Sequence, residues 1–132
     1  SAPEANPCIA ITMRTARHHA GLADADPFAP GSLLSLGRPG LAAQLMSDAG
    51  FADIEVTALA APFCLPSAND YIAFVRSSGS PVIEVLRPLS AARQAEAWAD
   101  IRRQLDRFST AHGWVGPNEL LLCPAVNPAG RG

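Results

Sequence analysis

Two adjacent histidines, His18 and His19, are the first residues along the chain that could carry chemistry. Imidazoles bind metals and move protons, but neighbours on a helix project about 100° apart, and no third ligand follows at metal-site spacing. The pair reads better as a helix end, where a histidine suits the negative end of the dipole. His112 falls on an apolar stripe beside Gly113, which favours packing or capping over a general base. Cys8, Cys64 and Cys123 lack the close spacings of zinc sites, so no metal is expected. Three is also an odd number, which argues against a disulfide framework and for a reducing, cytoplasmic compartment. Gly37-Arg38-Pro39-Gly40 is the nearest glycine cluster, yet it follows a loop rather than a strand, and Pro39 removes an amide donor a ligand would need. Tyr71 and Trp114 remain. Each joins an apolar body to a polar tip, as suits the wall of a pocket.

The elements that must position these residues follow from periodicity and punctuation. Asn6-Pro7 is a cap and first-turn proline, opening a helix to about Ala20 that stops at Gly21. Ile9, Met13, Ala16 and Ala20 share its apolar face. Asp24 to Gly37 reads as a long loop. Leu41, Leu45, Met46 and Ala49 then form a stripe on a short helix, with Pro39 at its start and Gly50 just past its end. Ile54 to Ala61 alternates as a strand with unlike faces.

Ser67 caps a helix carrying Tyr71, Ile72, Phe74 and Val75 that ends near Gly79, and Ser80-Pro81 restarts a short one through Leu86. Ser90 caps the longest helix, to about His112, with Ala91, Trp98, Ile101, Leu105, Phe108 and His112 on one buried seam. On its other side Asp100 can reach Arg103, and Asp106 can reach Arg102. Glu119 to Val126 contains Leu120, Leu121, Leu122 and Cys123 without interruption, the pattern of a strand covered on both faces. The last residues, Asn127 to Gly132, read as a frayed tail.

At 132 residues the chain makes a single domain, 1–132, that buries about two thirds of its unfolded surface. A formal charge of −2 gives no reason to expect nucleic acid or an anionic membrane as partner. No apolar run approaches the ~20 residues of a membrane helix, and the N-terminus lacks the pattern of a secretory signal. All ten positive side chains are Arg. Together with the abundance of Ala, this fits a GC-rich coding bias of the bacterial kind better than ten arginine-specific sites.

Five stretches, in order, resemble the C-terminal half of a class I S-adenosylmethionine-dependent methyltransferase of the small-molecule branch found in ubiquinone and menaquinone biosynthesis. NPCIAITMRTARHHAGL is similar to the helix after that family's fifth strand. PFAPGSLLSLGRPGLAAQLMSDAGF resembles the loop and helix before the sixth. PSANDYIAFVRSSGSPVIEVL and the helix at 90–112 resemble the insert between the last two strands. GWVGPNELLLCPAVNP resembles the antiparallel seventh. The resemblance implies an α/β, Rossmann-like fold, α+β when isolated, with two antiparallel strands and about four to five helices. The family's acidic residue, its glycine-rich loop and its ribose-binding acid are not in this sequence. S-adenosylmethionine is thus the cofactor implied for the complete enzyme, whereas this chain alone is expected to bind none and to catalyse no transfer.

Ligands of open α/β sheets bind beyond the carboxyl ends of the parallel strands. If Ile54–Ala61 matches the sixth strand, the resemblance places Phe63 and Cys64 at the substrate side, with Trp114 and Pro117 near the same edge and Asn6 and Cys8 beside them. The substrate-binding candidates are then Phe63, Cys64, Tyr71 and Trp114, facing a small apolar or aromatic molecule. No catalytic residue can be named. A different class of reading is a non-catalytic α+β association module that keeps the fold without the cofactor. Either way, the apolar edge of 119–126 calls for a neighbour, a second copy in a homodimer or a missing N-terminal half.

Overall fold

A computed structural model of the chain describes residues 1–78 and 80–130. Its regular elements are α1 (Pro7–His19), α2 (Leu41–Asp48), β1 (Thr57–Ala60), β2 (Phe63–Leu65), α3 (Ala68–Ser77), α4 (Pro81–Leu86), α5 (Ala91–Leu105), β3 (Ser109–Thr110), β4 (Gly113–Gly116) and β5 (Glu119–Leu122). Five helices and two small antiparallel sheets among the described residues make the chain α+β. No described helix is long and apolar enough to cross a membrane. Gly79, expected at the end of α3, and the tail residues Arg131 and Gly132 lie outside the described residues.

The helix stops are local and sharp. After α1, the Gly21 amide donates to the His18 carbonyl and the Leu22 amide to that of Arg17. After α2, Gly50 and Phe51 repeat the pattern onto Ser47 and Met46. Both glycines have positive φ, 70° and 90°, as this left-handed ending requires. α2 starts at Leu41 rather than Pro39, behind Gly40 at φ 79°. Its apolar stripe is peripheral: Ala42 is buried, but Leu45 is exposed.

β1 and β5 pair antiparallel, with Thr57 opposite Leu122 and Ala60 opposite Glu119. The predicted strand from Ile54 is shortened by a bulge. Ala52 pairs with Val126, whereas the Glu55 amide already bonds the Pro124 carbonyl. One strand therefore holds an extra residue, and Asp53 takes φ 50° to absorb it. The expectation that Leu120–Cys123 is covered on both faces is corrected: Leu120 is 50% and Leu122 49% exposed. β1 is the only strand paired with β5 among the described residues, and that face has no covering element.

The second sheet has the order β2-β4-β3 and grows out of a revised end to α5. The predicted helix to His112 stops at Leu105, passes through a 3-10 turn at Asp106–Phe108 and becomes a hairpin. Thr110 accepts the His112 amide at its hydroxyl, and Gly113 at φ 131° closes the turn. His112 is consequently exposed, not part of a buried seam. Between the helices and this sheet lies the core: Cys8, Ile11, Ala16, Tyr71, Val75, Val82, Leu86, Ala97, Ile101, Leu105 and Trp114. Trp98 and Phe108 pack at its margin, with the Arg76 guanidinium 5.4 Å from the Trp98 ring centre. Ion pairs Asp100–Arg103 and Asp106–Arg102 form at 2.8 and 3.0 Å, on the solvated side of α5 as expected.

α1 packs on a stripe that shares only Ala16 with the expected face of Ile9, Met13, Ala16 and Ala20. Cys8, Ile11, Thr12, Thr15 and Ala16 are buried against α4 and α5, while Ile9 and Met13 are only half-buried. The two threonines are tolerable inside because both have partners. Thr12 donates to the Cys8 carbonyl at 2.7 Å, and Thr15 accepts from Gln104 at 3.0 Å.

Candidate functional site

Phe63, Tyr71 and Trp114, three of the four residues picked out in the sequence, meet in one aromatic chain. β2 places Phe63 opposite Gly116, and α3 lays Tyr71 between Phe63 and Trp114. The Phe63 ring meets Tyr71 edge-on at 5.3 Å and lies 6.0 Å from Phe74. Tyr71 stacks on Trp114 at 5.1 Å, and Phe108 meets the indole edge-on at 6.0 Å. The fourth, Cys64, points the other way, since neighbours on a strand face opposite sides. It is exposed.

Burial separates these residues by role. Trp114 is 1% exposed, and its indole N–H donates to the Leu105 carbonyl at 2.8 Å, where α5 ends. It is a core residue that ties the hairpin to that helix, and it lines neither of the clefts described below. Tyr71 is also buried, yet it forms part of a cleft of about 370 Å³ together with Phe63, Phe74, Thr12, Met13 and Val82. Burial, reinforced by Cys8, pushes its hydroxyl well above the usual tyrosine range, against a smaller opposing effect of Thr12. The hydroxyl therefore stays protonated and serves as a hydrogen-bonding group, not as a base.

Cys8 lies behind this wall, with its thiol pushed up to about 11 by burial. A nucleophile or metal ligand needs the thiolate, so Cys8 is a packing residue at neutral pH. Asn6, a helix cap by sequence, is a clamp in the structure: its amide donates to the Ala2 carbonyl at 2.8 Å and its oxygen accepts from the Glu119 amide at 2.9 Å. The glycine cluster is closed by the N-terminus, because a side-chain carbon on Gly37 would run into the Ser1 backbone.

The histidines part company. His19 meets the Asp100 carboxylate at 2.9 Å, linking the end of α1 to α5, and Arg93 bonds its backbone carbonyl at 3.0 Å. Asp100 also accepts from Arg103 and Gln104. His19 is thus a half-buried bridge rather than a free helix end. Among the described residues no three His, Cys, Asp or Glu side chains converge as a metal site would need.

Sequence reading missed Thr12, Met13 and Leu33 as cleft residues. Ile9 and Met13 had the spacing of a buried stripe, and only the packing of α1 shows that this stripe borders a cleft. A second cleft, of about 450 Å³, shares Ile9, Met13, Leu33 and Pro81 with the first and runs along α1 beneath the loop before α2. Comparisons with protein-family models, with curated proteins and with solved structures gave no match.

Proposed function

We propose that this chain is the substrate-side part of an S-adenosylmethionine-dependent methyltransferase acting on a small apolar or aromatic molecule. The observation that carries the reading is the apolar cleft on Phe63 and Tyr71, which opens just past the end of β1. The antiparallel pairing of β1 with β5 across an inserted set of helices supports it further. The cleft has the composition of a small-ligand site, with predominantly apolar walls and a few polar groups, here Thr12, Tyr71, Ser78 and Ser80.

Methyl transfer from a sulfonium asks mainly that nucleophile and methyl carbon be aligned. In this reading Phe63 and Tyr71 hold the acceptor's flat face, and Thr12 with the protonated Tyr71 hydroxyl fixes its polar end. S-adenosylmethionine supplies the methyl group to the complete enzyme. The present residues contain no acidic-glycine strand end to hold it, so binding by this chain alone is not expected.

A second reading, a non-catalytic association module, is favoured by one observation. The β1–β5 ribbon leaves Leu59, Leu120 and Leu122 exposed. Titration calorimetry with 4-ethylphenol and with S-adenosylmethionine separates the two. The methyltransferase reading expects saturable phenol binding that weakens in Tyr71→Phe, and no heat from the cofactor. The absence of phenol binding would leave the module.

A further inference from the structure

We infer that the cleft along α1 is a binding site for an elongated amphiphile with an apolar chain and one anionic end, such as a medium-chain carboxylate. This goes beyond the methyltransferase reading and does not depend on it. The two clefts share a wall but differ in their far ends.

The argument starts on one face of α1. Ile9, Ala10, Met13, Arg14 and Arg17 all line this cleft, so the helix offers an apolar strip that ends in two guanidinium groups. Ile9 to Arg17 spans about 12 Å along the axis, close to the length of an extended chain of about ten carbons. Opposite stand Leu33 and Leu34 from the loop and Val85 from α4. Leu33 remains 61% exposed although it faces Ile9 and Met13 across the cleft. The volume of about 450 Å³ falls within the range of small-ligand sites. Apolar surface on both walls would leave water when a chain enters.

Charge at the rim decides the end group. Arg17 is held by the Ala23 carbonyl at 2.8 Å. Asp26 is engaged elsewhere, by Arg38 at 3.7 Å and by the Phe28 amide at 2.9 Å. Arg14 has neither a carboxylate nor a carbonyl partner among the described residues, and Asp24 is the one rim carboxylate left uncommitted. Counting Asp26 together with its partner Arg38, the rim carries three guanidinium groups against two carboxylates and is net positive by one. A carboxylate head can take two parallel N–H donors from Arg14, a contact that neither an alcohol nor an amine reproduces.

The test is titration of the full chain with decanoate, decanol and decylamine below their aggregation thresholds. Decanoate is expected to bind saturably and about tenfold more tightly than decanol, with decylamine weaker still. Arg14→Gln should remove the advantage of decanoate while leaving decanol unchanged, and Asp24→Asn should strengthen decanoate binding. Leu33→Glu, on an exposed loop position, should weaken all three. Equal affinities for the three compounds, or an Arg14→Gln variant that binds decanoate as the parent does, would overturn the assignment. Failure of phenol to bind at Tyr71 would not affect it.

Discussion

Tyr71 lies nearly parallel to Trp114, with ring centres 5.1 Å apart and planes inclined by 29°. The stack joins α3 to β4, so one face of the tyrosine is committed to the core while its other flank meets Phe63 and the cleft. Gly116 makes this possible. Trp114 and Gly116 share a strand face, and the indole folds over the glycine.

Two glycine substitutions should therefore fail for different reasons. At Gly116 a new side-chain carbon would strike the Trp114 ring and approach the Cys8 sulfur at 2.9 Å. Gly116→Ala should cost about 1–3 kcal/mol by overpacking. At Gly50 nothing lies within 4 Å, but φ is 90°. Gly50→Val should cost a similar ~1–3 kcal/mol through backbone strain alone. Urea unfolding measures both. Parent-like midpoints would show that the close approach, or the glycine stop, is misread.

The link between His19 and Asp100 should make stability depend on acid pH. The hydrogen bond from His19 holds the Asp100 carboxyl below its usual value, opposed by burial and assisted by Gln104 and Arg103. A depressed carboxyl stabilises the fold above its unfolded pKa, and that contribution is lost as pH falls through the folded value. Melting temperature should drop more steeply from about pH 5 to about pH 3 in the parent than in Asp100→Asn. Parallel curves would remove the carboxylate from the account.

β5 should recruit a second copy. Its even-numbered residues face β1, since Ala61 bonds Asn118 and Glu55 bonds Pro124. Glu119, Leu121 and Cys123 then point their backbone groups outward. Asn6 satisfies the Glu119 amide, but Leu121 and Cys123 have no such partner among the described residues. Antiparallel self-pairing centred on Leu122 sets Leu121 opposite Cys123 and leaves the Glu119 amide with Asn6. Such a dimer should bury on the order of 1,200 Å² or more. Light scattering at tens of micromolar should report it; a monomer would count against it.

What could be read from the sequence was mostly what is decided locally. Gly21 and Gly50 bond three positions back and the residues after them, Leu22 and Phe51, five positions back, so these stops are written in short stretches. Ser80 and Ser90 cap α4 and α5 in the same local way. The end of α5 is decided at a distance. His112 fits the seam by spacing, yet Ser109 pairs with Trp114 instead of continuing the helix. Likewise, Ile9 and Met13 have a core spacing, and only the burial of Thr12 and Thr15 leaves them half-buried at the edge of the packed face. Phe63, Tyr71 and Trp114 could be named from type and resemblance. Their stacking, and the turning away of Cys64, required the register of β2 on β4.

The central claim, an acceptor site on Phe63 and Tyr71, is tested most directly by following backbone and methyl NMR shifts during titration with 4-ethylphenol. Saturable changes are expected at Thr12, Met13, Phe63 and Tyr71, around the cleft of about 370 Å³, with none at Cys64 or His112. Shifts that never saturate, or that scatter away from Phe63 and Tyr71, would contradict it.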